Sequence, residues 1–326
     1  MLSRRALFLS AAASVSLAAS SRAAQDHPFD DVRVVTIVVP FAAGGGSDIL
    51  ARLLSQPLAE ALKIPVVIEN RPGAGGVVAA RQVKATRADG STLLFVDMGF
   101  SAGATLDRQA RYHPTRDFEA IASVASVSSI LTVKKGSRYG SVAELVGAAK
   151  QRPGALNMAS GGTGGVAHLI GAMFANQAGF EPTHVPYRGM SPAMTDVITG
   201  QTDFIIATAP VALPFIREER ATALAVASEK PIELFPDVKT FGQEGYPGVV
   251  GDNVYGLAAP SGLPEPLVAL LHREISAIVR TEAFADRLAP LAATALPMDS
   301  PHVYGDFLEA DFAKWREVIQ RNNITP

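Results

Sequence analysis

Two glycine-rich segments are the parts of this sequence best suited to binding a small anion. One runs from Pro40 to Asp48 and the other from Ala159 to His168, and each separates a strand-like run from a helical pattern. Glycine lets a ligand approach the main chain, and the first N–H groups of a helix carry a partial positive charge. Such a loop binds a carboxylate or a phosphate without a basic side chain. Because α/β sheets bind ligands at this edge, the pair predicts one site between two sheets.

The second loop leaves two other interpretations open. Residues 162–167 read Gly-Thr-Gly-Gly-Val-Ala, which matches the dinucleotide-binding pattern in its G-x-G-x-x-A form. The acidic residue expected at the end of the next strand is missing, because Glu181 precedes the segment Thr183–Tyr187. An exported enzyme that holds a phosphate-bearing cofactor on this loop is therefore the main alternative. The structural alternative is that the glycines of either loop only form tight turns.

Side chains for catalysis or metal binding form no recognisable pattern. The chain has no cysteine, and its six histidines lack metal-ligand spacing. No G-x-S-x-G elbow supplies a nucleophilic serine. His168 falls in the first turn of a predicted helix, where a packed histidine is more typical than a base. It stays a candidate ligand contact because it adjoins the second loop, and we predict no catalytic residue, metal or cofactor.

The first 24 residues are typical of a secretory signal peptide. Arg4 and Arg5 precede the apolar run from Ala6 to Ala19, and Ser21-Arg22-Ala23 follows as a cleavage site. The run is too short to span a bilayer of roughly 30 Å as a helix. The arginine pair also resembles a twin-arginine export signal. We predict a periplasmic protein exported by a cleavable signal, by either route.

Length and composition narrow the class of partner. A chain of 326 residues with 48% hydrophobic residues and no cysteine is long enough for two domains without disulfides. A formal charge of −2 argues against nucleic acid or an anionic membrane surface as partner. No later apolar stretch reaches the length of a membrane span. We expect a soluble monomer that does not insert into the membrane.

Alternating strand-like and helix-like segments predict an α/β fold with largely parallel sheets. Within it, Ser47 is placed to cap the first helix, Pro57 to kink or end it, and Ser191 to start a later helix. The predicted fold is a type II-like periplasmic-binding-protein fold of two domains, with a ligand cleft between them. The first domain would comprise residues 30–128 plus 252–326, and the second residues 129–251. Two hinge crossings would join them, near Ser126–Thr132 and Gly251–Gly256.

An ordered series of short motifs extends from about Val34 to Ile319. It comprises Val39-Pro40-Phe41 with residues 44–48, the turn at residues 69–76, residues 184–189 (His-Val-Pro-Tyr-Arg-Gly), Pro236-Asp237-Val238 and Tyr255-Gly256-Leu257. With this series the chain resembles the substrate-binding proteins of the tripartite tricarboxylate transporter, the Bug receptor family. The resemblance implies two domains that close over a small carboxylated solute. It also implies a partner, either membrane transporter subunits or a sensor kinase, and a receptor that signals without transport stays open.

The resemblance also implies which residues bind the solute. Phe41, Gly45, Gly46, Ser47 and Asp48 would line one wall, Ser160, Thr163 and Gly164 the other, and Tyr187 would lie nearby. The turn from Asn70 to Gly76 is interpreted as a rigid turn rather than a ligand contact.

Three departures from the family pattern bear on specificity. Gly161 and Gly165 replace hydroxyl residues, and Ala207 stands where relatives similar to amino-acid binders often carry an aspartate. Asp97 ends the third predicted strand, where a small hydroxyl residue is usual. In the cleft, Asp97 would repel a second ligand carboxylate or hold an ammonium or hydroxyl group. The alternative is that Asp97 turns away, to cap a helix or pair with an arginine.

Overall fold

Two β-sheets with helices on their faces make up the protein. The structure is a computed structural model that describes residues 29, 32–107 and 109–325. The predicted signal peptide, residues 1–24, lies outside the described residues. No helix in the described part of the chain is long and apolar enough to cross a membrane.

The first sheet has six strands, and the three strands at one edge are parallel. Across the sheet the strands are β11 (Ala293–Ala295), β4 (Phe118–Val127), β10 (Asn253–Pro260), β3 (Thr92–Val96), β1 (Val35–Val39) and β2 (Val66–Asn70). Strand β1 runs parallel to both β2 and β3, whereas β10 is antiparallel to β3 and β4. A strand from late in the chain is thus inserted next to β3.

The second sheet has five strands in a corresponding arrangement. Across the sheet they are β7 (Thr183–Pro186), β6 (Asn157–Ser160), β8 (Phe204–Thr208), β5 (Ser129–Lys134) and β9 (Ala221–Val226). Strand β6 runs parallel to β7 and β8, and β5 is antiparallel to β8 and β9. In both sheets an inserted antiparallel strand lies beside three parallel strands.

Ten α-helices connect and cover the strands in the described part of the chain. They are α1 (Gly46–Leu62), α2 (Val77–Lys84), α3 (Met98–Leu106), α4 (Val142–Gln151), α5 (Val166–Ala178), α6 (Met190–Thr199), α7 (Ala209–Arg217), α8 (Glu265–Val279), α9 (Glu282–Leu288) and α10 (Pro301–Arg321). These helices bury apolar faces on the sheets, and the predicted α/β two-domain binding-protein fold is confirmed.

The strand order places both glycine-rich loops at equivalent points. Strands β2 and β3 lie on opposite sides of β1, and β7 and β8 lie on opposite sides of β6. The carboxyl ends of β1 and β6 are therefore the points where the connections diverge, which is where α/β sheets bind ligands. The loop at residues 40–46 follows β1, and the loop at residues 161–165 follows β6.

The chain passes from the first sheet to the second at Ser128 and returns between β9 and β10. A hydrogen bond of 2.8 Å from Ser128 Oγ to Asp252 Oδ1 joins the two crossing segments. Helix α10 packs on α3 and β4, and the residues after it, 322–325, line a surface groove with His168 and His184 of the second half. The domain boundaries drawn from the sequence stay a prediction.

Two expectations for α1, a cap at Ser47 and an early end at Pro57, are wrong. The N-cap residue is Gly45, and Ser47 lies inside the first turn without capping it. Helix α1 also continues through Pro57 to Leu62. Proline removes one main-chain hydrogen bond, whereas the fully buried Leu58 and the rest of that apolar face stabilise the final turn by packing.

The expected start of α6 at Ser191 is also displaced. The helix begins at Met190, behind Gly189 as N-cap residue. Gly189 has φ 144°, and a Cβ atom there would lie 2.8 Å from the Cβ atom of Ala42. The close approach of the first loop therefore determines where α6 begins.

Candidate ligand-binding cleft

A small cavity lies between the two sheets, where the two glycine-rich loops meet. Its volume is about 20 Å³, which is space for about one water molecule. Its lining residues come from both halves of the molecule. They are Phe41, Gly45, Gly46, Ser47, Asp97, Gly161, Gly165, Val166, Met190, Thr208 and Tyr255.

Five helices begin at this cavity. The lining residues include the N-cap or first-turn residues of α1, α3, α5, α6 and α7. No side chain caps the start of α1, α5, α6 or α7 within the described residues, whereas Asp97 caps α3. Uncapped first turns leave a partial positive charge facing the cavity. In α7 the Ala209 N–H donates to the Ser128 carbonyl oxygen and Pro210 has no N–H, so the N–H donors come chiefly from α1, α5 and α6.

Asp48 shapes the first loop from behind and does not line the cavity. Its carboxylate accepts hydrogen bonds from the Gly44 N–H (2.9 Å), from Arg52 Nε (3.0 Å) and from Asn70 Nδ2 (2.9 Å). Burial alone would raise the pKa of Asp48, but these hydrogen bonds outweigh it and lower that pKa. The carboxylate thus holds the loop that presents Gly45 to the cavity.

Ser160 and His168 shape the second loop in the same way. Ser160 Oγ accepts a hydrogen bond of 3.2 Å from the Gly162 N–H and lies 2.6 Å from His184 Nε2. His168 Nδ1 accepts a hydrogen bond of 3.0 Å from the Gly164 N–H. The rings of His168 and His184 stack with centroids 4.0 Å apart. Burial, then the neighbouring His184, lowers the pKa of His168 to about 4, so that Nδ1 stays an acceptor at neutral pH.

Asp97 both caps α3 and lines the cavity. The sequence had left these two positions as alternatives. Asp97 Oδ1 accepts a hydrogen bond of 2.9 Å from the Gly99 N–H, and its Oδ2 lies 3.4 Å from Ser47 Oγ. Burial raises the pKa of Asp97 to about 7. Burial, then the charge of Asp97, raises the pKa of Tyr255.

Of the twelve residues predicted to bind the solute, five line the cavity. These five are Phe41, Gly45, Gly46, Ser47 and Asp97. The other seven do not, namely Asp48, Ser160, Thr163, Gly164, His168, Tyr187 and Ala207. Ala207 is fully buried inside β8, and its neighbour Thr208 lines the cavity because successive residues of a strand face opposite sides. Tyr187 Oη donates instead to Asp196 Oδ2 at 2.5 Å.

Six lining residues were not among those predicted. They are Gly161, Gly165, Val166, Met190, Thr208 and Tyr255. Gly161 and Gly165 had been identified as departures from the family pattern. Val166 and Met190 begin α5 and α6. Met190 was missed because α6 was expected to start at Ser191. Tyr255 comes from β10, and no local signal in the sequence indicates that this strand returns to the site.

The turn at residues 74–76 of the first half lies directly against the second loop. Gly75 has φ 61°, and a Cβ atom there would collide with the carbonyl oxygen of Thr163. A Cβ atom at Gly162 would lie 3.7 Å from the Gly75 main-chain nitrogen. This turn is thus a contact between the halves, where the sequence had indicated a rigid turn only.

Comparison with known proteins agrees with this geometry. Two α/β halves that meet over a cavity lined by helix N-termini define a solute-binding protein. Residues 50–324 match the model of the tripartite tricarboxylate transporter family receptor, and the chain belongs to this family. The predicted resemblance to the Bug receptors is confirmed. The protein is a periplasmic solute-binding receptor.

Solved structures with the same fold cover nearly the whole chain. The periplasmic binding protein BugD superposes with a TM-score of 0.86 at 30% identity, over 90% of this chain and 98% of its own. Rpa4515 of R. palustris with adipate gives a TM-score of 0.86 at 32% identity, over 90% and 98%. MatC of Rhodopseudomonas palustris with bound malate gives 0.85 at 32% identity, over 88% and 99%.

We expect a side chain at Gly75 to prevent full closure of the two halves. The chain has no cysteine, and an added Cβ at Gly44 would lie 3.9 Å from Ser191 Cβ, within disulfide range. Gly44→Cys with Ser191→Cys should therefore crosslink under mild oxidation. Adding Gly75→Ala should slow crosslinking about tenfold or more, which corresponds to about 1.4 kcal/mol of steric cost.

The control for this experiment is Gly136→Ala. Gly136 has φ 71°, close to that of Gly75, but no atom lies within 4 Å of its added Cβ. An alanine at position 136 has the same backbone strain as an alanine at position 75 but touches no residue of the other half. Equal crosslinking rates in the two alanine variants would contradict the steric assignment.

A pH-dependent stability should follow from His168. The folded pKa of about 4 lies below the unfolded value of 6.5, so the unfolded chain binds a proton that the folded chain does not between these values. The free energy of unfolding should therefore fall as pH drops from 6.5 to 4, by about 3 kcal/mol from this residue. His168→Gln, whose amide oxygen can still accept from Gly164, should flatten that slope in urea unfolding at pH 7, 6 and 5.

The control is His302→Gln, because His302 is exposed on α10. This substitution should leave the change of unfolding free energy with pH as it is in the parent protein. A slope unchanged by His168→Gln would show that His168 is not the group responsible.

Proposed function

We propose that this receptor binds a small carboxylated organic solute in the cavity between its two halves. The observation that carries the proposal is the convergence of four uncapped helix N-termini on one cavity. Main-chain N–H groups and helix dipoles bind a carboxylate without a basic side chain. No lysine, arginine or histidine is among the lining residues in the described part of the chain. The relatives whose structures hold adipate and malate support the same chemistry.

Closure of the two halves is the proposed mechanism of capture. A cavity of about 20 Å³ accepts one water molecule, whereas a carboxylic acid has several heavy atoms. The solute therefore enters while the halves are apart, and they close over it by rotation at the two crossing segments. The proposed halves are residues 30–128 plus 252–326 and residues 129–251. No bond of the solute is made or broken in this cycle.

Delivery follows capture in the proposed cycle. The exported, monomeric receptor carries the solute to the membrane subunits of a tripartite tricarboxylate-type transporter, or to a sensor kinase. Membership of the transporter receptor family supports a membrane partner. Export by the predicted signal peptide, through the general or the twin-arginine route, would bring the receptor to that partner.

The phosphate-cofactor alternative has weaker support from the second loop. A phosphate cradle needs free main-chain N–H groups. The N–H groups of Gly162, Gly164 and Gly165 donate within the protein, to Ser160 Oγ, His168 Nδ1 and the Gly162 carbonyl oxygen. The glycines in the pattern at residues 162–167 therefore use their N–H groups within the protein and do not offer them to a phosphate.

A thermal-shift and calorimetric screen tests the proposed function. Protein beginning at residue 25 is titrated with dicarboxylic acids, hydroxy acids, amino acids and nucleotides. A carboxylate present at about 100 times its Kd should add about 2.7 kcal/mol of stability, a shift of about 4 °C for a chain of this size. Stabilisation by nucleotides alone would overturn the proposal in favour of a cofactor-binding protein.

Gly46→Ala locates the binding event. A Cβ atom at Gly46 would lie 2.8 Å from Thr208 Oγ1 and 2.9 Å from Tyr255 Oη, so it fills the cavity. The affinity for the best carboxylate should fall about tenfold or more, the equivalent of about 1.4 kcal/mol. The matched control is Gly147→Ala in α4, where no atom lies within 4 Å of the added Cβ. Unchanged affinity in Gly46→Ala would place the bound solute elsewhere.

A further inference from the structure

One of the five helices at the cavity, α3, is capped by a side chain of the protein. Its first three N–H groups are already used inside the protein. Met98 N–H donates to Asn253 Oδ1 at 2.8 Å, Gly99 N–H to Asp97 Oδ1 at 2.9 Å, and Phe100 N–H to the Asp97 carbonyl oxygen at 2.9 Å. The protein's own carboxylate thus occupies the position at α3 that a ligand carboxylate could take.

The surroundings of Asp97 contain no positive side chain that would offset its charge. Ser47 of α1 and Tyr255 and Asn253 of β10 are its polar neighbours. The charge that acts on it from α10 is another carboxylate, Asp311. Of the lining residues that the structure describes, only Asp97 and Tyr255 are ionisable. A second ligand carboxylate placed beside Asp97 would therefore be repelled.

Asp97 still has unused capacity to accept hydrogen bonds. Its Oδ1 accepts from Gly99, its Oδ2 has a long 3.4 Å contact with Ser47 Oγ, and the Asn253 side chain also acts on the carboxylate. A carboxylate accepts about four hydrogen bonds over its two oxygens, so capacity for another donor remains. Beside it, Thr208 Oγ1 is buried next to the Tyr255 hydroxyl. The cavity wall around Asp97 thus has polar atoms available to a ligand group that donates hydrogen bonds.

We infer that Asp97 determines specificity, so that the cleft prefers a carboxylate bearing a hydrogen-bond donor, an ammonium or hydroxyl group, over the unsubstituted dicarboxylate of the same carbon skeleton. The ligand carboxylate lies at the uncapped starts of α1, α5 and α6. The donor group lies at Asp97 Oδ2. This inference rests on the proposed function, because it names the ligand class of the same cleft.

The test uses acids that share one skeleton. Succinate, malate and aspartate differ only in a hydrogen, hydroxyl or ammonium group at one carbon, and adipate and 2-aminoadipate form a longer pair. Calorimetric titrations at pH 8 keep Asp97 ionised, since its pKa lies at about 7. We expect the substituted acids to bind about 10- to 100-fold more tightly than the unsubstituted acid, as for a hydrogen bond to a charged group. The malate and aspartate arms distinguish a hydroxyl from an ammonium donor.

Asp97→Asn and Asp97→Ser should abolish this preference, chiefly by raising the affinity for succinate or adipate. Both replacements can still cap α3, so the fold should persist, and thermal unfolding checks this. The matched control is Asp311→Asn. Asp311 is a carboxylate of α10 that accepts a hydrogen bond from Trp315 Nε1 and does not line the cavity. The preference should persist in that variant.

The outcomes separate this inference from the proposed function. If carboxylates bind but the unsubstituted acid binds as tightly as the substituted ones, this inference fails alone. It also fails alone if Asp97→Asn keeps the parent preference, or if Asp311→Asn removes it. If no carboxylate binds the parent protein, the proposed function fails and this inference fails with it.

Discussion

The convergence of helix N-termini on one small cavity is the constraint on which the rest of this structure depends. Five helices begin there, and buried N–H groups without acceptors are costly. An anion bound in the cavity supplies the acceptors that these N–H groups lack. The repeated strand order satisfies this geometry, because it places the carboxyl ends of β1 and β6 opposite each other. The side chains behind the loops, Asp48 and Ser160 among them, then fix the loop shapes.

Close approach of the two main chains is the second requirement, and it explains the glycines. At Gly46, Gly75 and Gly189 a Cβ atom would meet an atom of the opposite half at less than 3 Å. Glycine at these positions is therefore a packing requirement between the halves, beyond its freedom to form turns. The G-x-G-x-x-A pattern at residues 162–167 has a different origin. Gly162 and Gly164 have φ of 133° and 81°, and no Cβ atom there would meet the opposite half at less than 3 Å.

The sequence predicted the fold and the general position of the site, because hydrophobic periodicity and glycine loops are local signals. The family resemblance placed Ser47 in the cleft, and Asp97 was left open between the cleft wall and a helix cap; both line the cavity. Sequence-based prediction failed where the position of a residue depends on which face of a strand it occupies, or on pairing between strands that are far apart in the chain. Thr208 rather than its neighbour Ala207 faces the cavity, and Tyr255 arrives on a strand inserted from late in the chain.

Helix α10 packs on α3, β4 and α8 of the first half, and the chain reaches the second half directly after it. Its buried Tyr304 and Leu308 share a hydrophobic cluster with residues of the first sheet, whereas Trp315 and Ile319 share one with Phe174 of α5. A 21-residue helix is a rigid strut about 30 Å long. Because α10 packs on the first half, rotation at the crossing segments would change the distance from the end of α10 to the second half. A protein that docks across that end would therefore meet a different surface in the open arrangement than in the closed one.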